Sequence, residues 1–135
     1  MGCFFLVVLS VSAFAEDNWK IVHRDNVENT YLIETRGVTQ IGNYIQGGVS
    51  VEYKSPKVIK AKPGEEIVRE TYTLRIDCQG NRVAPEMYMA YGKNRLVDHW
   101  RVDFKEDSMK GVLPGSFIEP LMEPLCTAKK SPVGQ

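Results

Sequence analysis

The sequence predicts an α+β fold: a six-stranded antiparallel meander sheet with a C-terminal helix packed on one face and tethered by a disulfide. Three observations carry the expectation. Short runs rich in β-branched and aromatic residues alternate in polarity from Trp19 to Phe104, separated by Gly, Asn, Asp and Pro. An apolar stripe at helical spacing follows, made of Phe117, Ile118, Leu121, Met122, Leu125 and Cys126. Beyond an apolar leader the chain has two cysteines, Cys78 and Cys126, and two thiols in an exported chain default to one disulfide.

The leader is read first because it sets the compartment. Met1 to Ala15 carries no charge and runs Phe4-Phe5-Leu6-Val7-Val8-Leu9 into Ala13-Phe14-Ala15, an A-x-A cleavage site before Glu16-Asp17. Residues 1–15 are therefore expected to be a signal peptide, and residues 16–135 a single domain with one core. A positive n-region is missing before Phe4, which a start site placed too far downstream explains. Cys3 precedes the apolar stretch, so it does not sit as a lipoprotein cysteine does, and Leu6 occupies the position where myristoylation wants Ser or Thr. The apolar run falls short of the ~20 residues that span a bilayer, so no membrane span is expected.

The strands follow in order as Trp19 to His23, Thr30 to Thr35, Tyr44 to Tyr53, Ile67 to Asp77, Val83 to Tyr91 and Leu96 to Phe104. Gln79-Gly80-Asn81 and Gly92-Lys93-Asn94 supply residues that tolerate positive φ, which predicts consecutive hairpins from Ile67 to Phe104. Gly47-Gly48 predicts a bulge or bend in the third strand, and Pro85 predicts an edge or a strand start in the fifth. Lys54 to Glu66 reads as a long loop, and Ala128 to Gln135 as a frayed polar tail.

Alternation in the fourth strand puts Tyr72, Leu74, Ile76 and Cys78 on one face. The helical stripe likewise turns Cys126 inward, so a helix laid across that face brings the two sulfurs together. Closing so long a loop stabilises the fold by roughly 4 kcal/mol in the chain-entropy view. Ser116 with Glu119 three residues later reads as a capping box after Pro114-Gly115. Pro120 and Pro124 predict a helix that is short, kinked or partly 3₁₀.

Chemistry that needs a motif finds none. Lys plus Arg and Asp plus Glu both total 17, which argues against nucleic acid as a partner. His23 and His99 lie in separate strands without H-E-x-x-H or C-x-x-C spacing, so no metal or cofactor is expected, and His99 reads as a surface histidine. No G-x-S-x-G is present, Gly42, Gly47 and Gly48 make no phosphate loop, and two oxidised cysteines leave no thiol nucleophile. Glu65-Glu66 and Glu106-Asp107 read as solvated turns, and the chain is expected not to be an enzyme.

Two features suit binding. Lys54, Lys57, Lys60 and Lys62 form a candidate basic patch for an anionic polymer or an acidic protein surface, set against the plainer reading of lysines that protect a sheet edge. Met87, Met89 and Tyr91 share one face of the fifth strand and Tyr88 takes the other, so both faces carry large groups and a homodimer would cover the second.

Several residues together resemble the surface-adhesin protein E family of Gram-negative bacteria. They are the opening Asn18-Trp19-Lys20-Ile21-Val22, the strand ending in Asp77-Cys78, Tyr91-Gly92-Lys93 leading to Trp100, and Pro114-Gly115-Ser116 before the final Cys126. The likeness covers most of Trp19 to Lys129. It implies the same disulfide-tethered sheet and helix, a location at the periplasm or cell surface, and a protein partner such as the host extracellular-matrix proteins vitronectin or laminin. The chain departs from the family's lipoprotein members in lacking a lipobox, which favours a rival reading: a periplasmic envelope protein that binds a bacterial partner or a small apolar ligand between sheet and helix.

Overall fold

The computed structural model describes residues 18–60 and 62–132. The expected signal peptide, Cys3 and the expected start at Glu16 lie outside the described residues. Six strands form the main path of one sheet: β1 (Trp19–Arg24), β2 (Thr30–Glu34), β4 (Tyr44–Val58), β5 (Glu66–Asp77), β6 (Arg82–Tyr91) and β7 (Leu96–Arg101), adjacent in that order. The expected six-strand count is corrected to nine by β3 (Thr39–Ile41), β8 (Lys110–Gly111) and β9 (Ser131–Pro132). These three are too short to show a period. β3 folds back on β4 through Gly42-Asn43, with Gly42 at φ +60°, and β8 pairs with β6. The expected frayed tail is corrected as far as Pro132, because Ser131–Pro132 pairs in parallel with β3; residues 133–135 lie outside the described residues. Every other pairing is antiparallel.

Both expected hairpins are present. Asn81 takes φ 55° between β5 and β6, and the N–H of Gly92 donates to Arg95 O at 2.8 Å between β6 and β7. The third expected strand is longer than its alternation suggested. Lys57 and Val58 pair with Ile67 and Glu66 after a register shift beyond Glu52, so Lys54–Val58 belongs to β4 rather than to a loop. Gly47-Gly48 makes no bulge: both pair in register with Leu74 and Thr73. These glycines admit close neighbours instead. A Cβ on Gly47 would lie 3.0 Å from Leu125 Cδ2, and one on Gly48 would lie 3.2 Å from Glu34 Oε2 on the opposite face. Pro85 falls between the stretch of β6 that pairs with β8 and the stretch that pairs with β7, where that side of the strand needs no N–H donor.

The helix α1 (Glu119–Thr127) lays Leu121, Met122 and Leu125 onto the face that carries Ile33, Val49, Leu74 and Ile76. Leu121 and Leu125 are fully buried, each contributing about 2 kcal/mol by area. The expected capping box is absent. Ser116 Oγ donates to Leu113 O at 2.6 Å, and Glu119 Oε1 accepts the N–H of Gly115, while Ile118 occupies the cap position. Pro120 in the first turn removes a donor that a capping side chain would bind. The helix is short, as expected, with Pro124 inside it.

The disulfide joins Cys78 and Cys126 with S–S 2.09 Å and Cα–Cα 5.9 Å. Cys126 is half-buried as the helical stripe implies, whereas Cys78, one residue past β5, is exposed. On the sheet's second face two arginines pack against aromatic rings. The guanidinium of Arg69 lies between the rings of Trp19 and Tyr91, and Arg75 bonds Glu86 at 2.8 Å beneath the ring of Phe104.

Candidate functional site: an aromatic groove between sheet and helix

Where the sheet runs out beyond α1, four rings form a row. Phe117 packs on Tyr72 at 5.0 Å, Tyr72 on Tyr88 at 5.1 Å, and Tyr88 stacks on Trp100 at 5.6 Å. The row exists because Tyr72, Tyr88 and Trp100 hold successive register positions across β5, β6 and β7 on the helix-bearing face. Phe117 reaches them from the turn that precedes α1. Leu74, Val83, Pro85 and Ile118 complete the walls of an apolar groove of about 230 Å³. Two of its lining rings reach solvent, Phe117 at 40% and Trp100 at 39% exposed.

Beneath the row lies Glu70, a carboxylate only 3% exposed. The hydroxyls of Tyr53 and Tyr88 donate to its two oxygens, and Lys57 Nζ stands 2.9 Å from Oε1. Burial alone would push its pKa up, but the bonds from Tyr53, Tyr88 and Lys57 outweigh it and hold the carboxyl below the usual glutamate value. Desolvation, and then the same carboxylate, push the phenols of Tyr53 and Tyr88 well above the ordinary tyrosine value. Tyr72 is raised as well, by burial and the nearby charge. The ring row is therefore fixed from below through Tyr88, with Glu70 as an ionised anchor.

On the other side of Phe117 is a second cleft of about 410 Å³, between the β1–β2 hairpin and the start of α1. His23, Asp25, Tyr31, Ser116 and Glu119 line it with Phe117. The Asp25 carboxylate accepts from the N–H groups of Val27 and Asn29, from Asn29 Nδ2 and from Tyr31 OH at 2.9–3.2 Å. Desolvation raises its pKa, but these bonds outweigh it and hold the group below the ordinary aspartate value.

The four lysines of the expected basic patch have different surroundings. Lys57 is spent on Glu70 and leans on the Tyr53 ring at 5.2 Å, and the backbone of Lys54 is tied to Asn29 Oδ1. Lys60 and Lys62 stand exposed in the loop before β5. His23 and His99 are not brought together: His23 faces Tyr31 edge-on at 5.1 Å, and His99 is exposed on β7. Among the described residues no three His, Cys, Asp or Glu side chains gather as a metal site, and no helix is long and apolar enough to cross a membrane.

Sequence reasoning missed Trp100, Phe117 and Glu70 as partners in one site. Alternation placed Tyr88 on its own face, but bringing Trp100 of β7 and Phe117 to one groove depends on tertiary packing. Searches against protein-family models and curated proteins find no match to this chain.

Proposed function

We propose that this chain is an exported, non-enzymatic binding protein of the surface-adhesin E type, which seats a bulky apolar side chain of a protein partner between Trp100 and Phe117. The observation that carries the reading is the open groove itself, with two exposed aromatic rings at its ends on an otherwise packed face. Aromatic anchors in small desolvated pockets dominate the energetics of protein interfaces. At about 230 Å³ the groove is smaller than the roughly 300–1,000 Å³ of sites that enclose a whole small molecule, which favours a side chain over the small apolar ligand of the rival reading. β7 ends the main strand path, so its outer edge offers backbone groups to an extended partner segment. The basic segment takes a lesser role, since Lys57 neutralises Glu70.

The resemblance makes vitronectin and laminin the first partners to assay, and a periplasmic or surface location follows from the same reading. The test is binding of the oxidised protein to each immobilised matrix protein, comparing wild type with Trp100→Ala and with Lys60→Glu/Lys62→Glu. Saturable binding weakened about tenfold or more by Trp100→Ala and little by the lysine changes is expected. Binding lost only on the lysine changes, or absent throughout, overturns the proposal.

A further inference from the structure

The Cys78–Cys126 disulfide forms part of the wall of a cleft of about 260 Å³, with the Gly42-Asn43 turn on one side and the end of α1 on the other. Its two halves differ in access. Cys78 is exposed one residue past β5, whereas Cys126 is half-buried in the last turn of α1. An attacking thiolate needs an open path to one sulfur, and Cys78 offers it. Lys130 supplies the charge of the cleft, and no Asp or Glu is among the described residues of its lining. Its ammonium donates to Cys126 O at 2.6 Å and Ala128 O at 2.7 Å, so the cation is fixed on the residue whose sulfur would leave. A helix C-terminus disfavours a thiolate, and an ammonium bonded to these carbonyls offsets that penalty, which makes Cys126 a better leaving group. The seat of α1 does not depend on the bond alone. Leu121 and Leu125 are fully buried, and Ser131–Pro132 pairs with β3 beyond the helix, so the bond can open within the folded chain.

We propose that this cleft is a thiol–disulfide exchange site for a small anionic thiol, which attacks Cys78 and releases Cys126 beside Lys130. The aromatic groove and its partner play no part in this chemistry. The incoming thiolate bonds to Cys78 Sγ as the Cys78–Cys126 bond breaks, and the bonding pair leaves on Cys126 Sγ. A second molecule of the thiol attacks the mixed disulfide and frees Cys78. Two electrons pass to the protein, the two protons given up by the thiols end on the two cysteines, and the small thiol departs as its own disulfide.

The test uses the oxidised protein with any free thiol alkylated beforehand, which takes Cys3 out of the reaction. Two probes of similar size, 3-mercaptopropionate and 2-mercaptoethanol, differ in charge, and each rate is divided by the rate of the same thiol with an unhindered small disulfide. Mixed disulfides are quenched in acid and located by peptide mass spectrometry. The adduct is expected on Cys78 in about tenfold or greater excess over Cys126. The corrected rate of the anionic thiol is expected to exceed that of the neutral one about threefold, the value of one exposed charge pair. Lys130→Gln keeps a donor for both carbonyls but not the charge. It is expected to slow the neutral thiol about threefold, through the poorer leaving group, and the anionic thiol about tenfold, while Lys130→Arg retains both rates. An adduct on Cys126, or shared evenly, overturns the proposal, as does reaction only in urea that unfolds the protein. Equal corrected rates for the two thiols overturn the choice of an anionic thiol, and unchanged rates in Lys130→Gln overturn the role of Lys130.

Discussion

Replacing Glu70 by Gln tests whether a buried carboxylate organises the aromatic row. The wild-type group receives three donors, Tyr53 OH, Tyr88 OH and Lys57 Nζ. A hydrogen bond to a charged group contributes about 1.5–3 kcal/mol net and a neutral one about 1 kcal/mol. A glutamine keeps one carbonyl acceptor and offers an amide to which the other phenol can turn. Lys57, with its side chain 42% exposed, can swing into water at little cost. With Lys57 set aside, the two charge-assisted phenol bonds thus become two neutral ones, a loss of about 2 kcal/mol and about 8 °C in Tm. Glu70→Leu strands both phenols and costs about 4 kcal/mol. Urea unfolding followed by tryptophan fluorescence reads both values. The pH dependence has a fixed sign. A carboxylate whose pKa is lowered on folding gives stability that is full above its unfolded value, 4.5, and is lost as pH falls through its lower folded value. The gap between wild type and Glu70→Gln should therefore close on acidification below about 4.5. A Glu70→Gln protein within 0.5 kcal/mol of wild type at neutral pH, or a gap that widens in acid, would refute the reasoning.

Further predictions concern the tether, the helix seat and the phenols. Replacing both Cys78 and Cys126 with Ser reopens a loop with a sequence separation of 48, and the variant should lose about 4 kcal/mol in urea unfolding. Gly47→Val places its first side-chain carbon 3.0 Å from Leu125 Cδ2, with two methyl groups beyond it, so it should lift α1 and cost about 2–3 kcal/mol, whereas Gly42→Ala, with open space around it, should show only backbone strain of about 1 kcal/mol. Tyr53, Tyr72 and Tyr88 have pKa values raised by burial, so their contribution is complete below the ordinary tyrosine value of 10.0 and is lost as pH rises above it. Tyrosinate absorbance from these three should appear together with unfolding in an alkaline titration, and ionisation in the intact fold would contradict their burial.

Much of the architecture was legible because it rests on short-range signals. The alternation of Tyr72, Leu74 and Ile76 revealed the core face, the turn residues near Asn81 and Gly92 revealed two hairpins, and the spacing of Leu121, Met122 and Leu125 revealed the helix. What was misread depends on contacts distant in sequence. Lys57 reads as loop in the sequence, yet its ammonium is drawn to a carboxylate in the adjacent strand. Glu70 carries no local signal of its role, which comes from the hydroxyls of Tyr53 and Tyr88 that bond it. Gly47-Gly48 looked like a bend, but the vacancy left by each missing side chain is filled from outside the strand, by Leu125 on one face and Glu34 on the other. The groove was the least legible part, since Phe117 and Trp100 line it from segments of the chain that no local pattern connects.

The central claim is that partners are held at the groove rather than at the lysines. Hydrogen exchange on the complex with vitronectin tests it most directly, because the two surfaces fall in different segments of the chain. The account predicts protection of residues 96–101 and of the segment around Phe117, with residues 54–62 unchanged. Protection confined to 54–62, or no change anywhere, would contradict it.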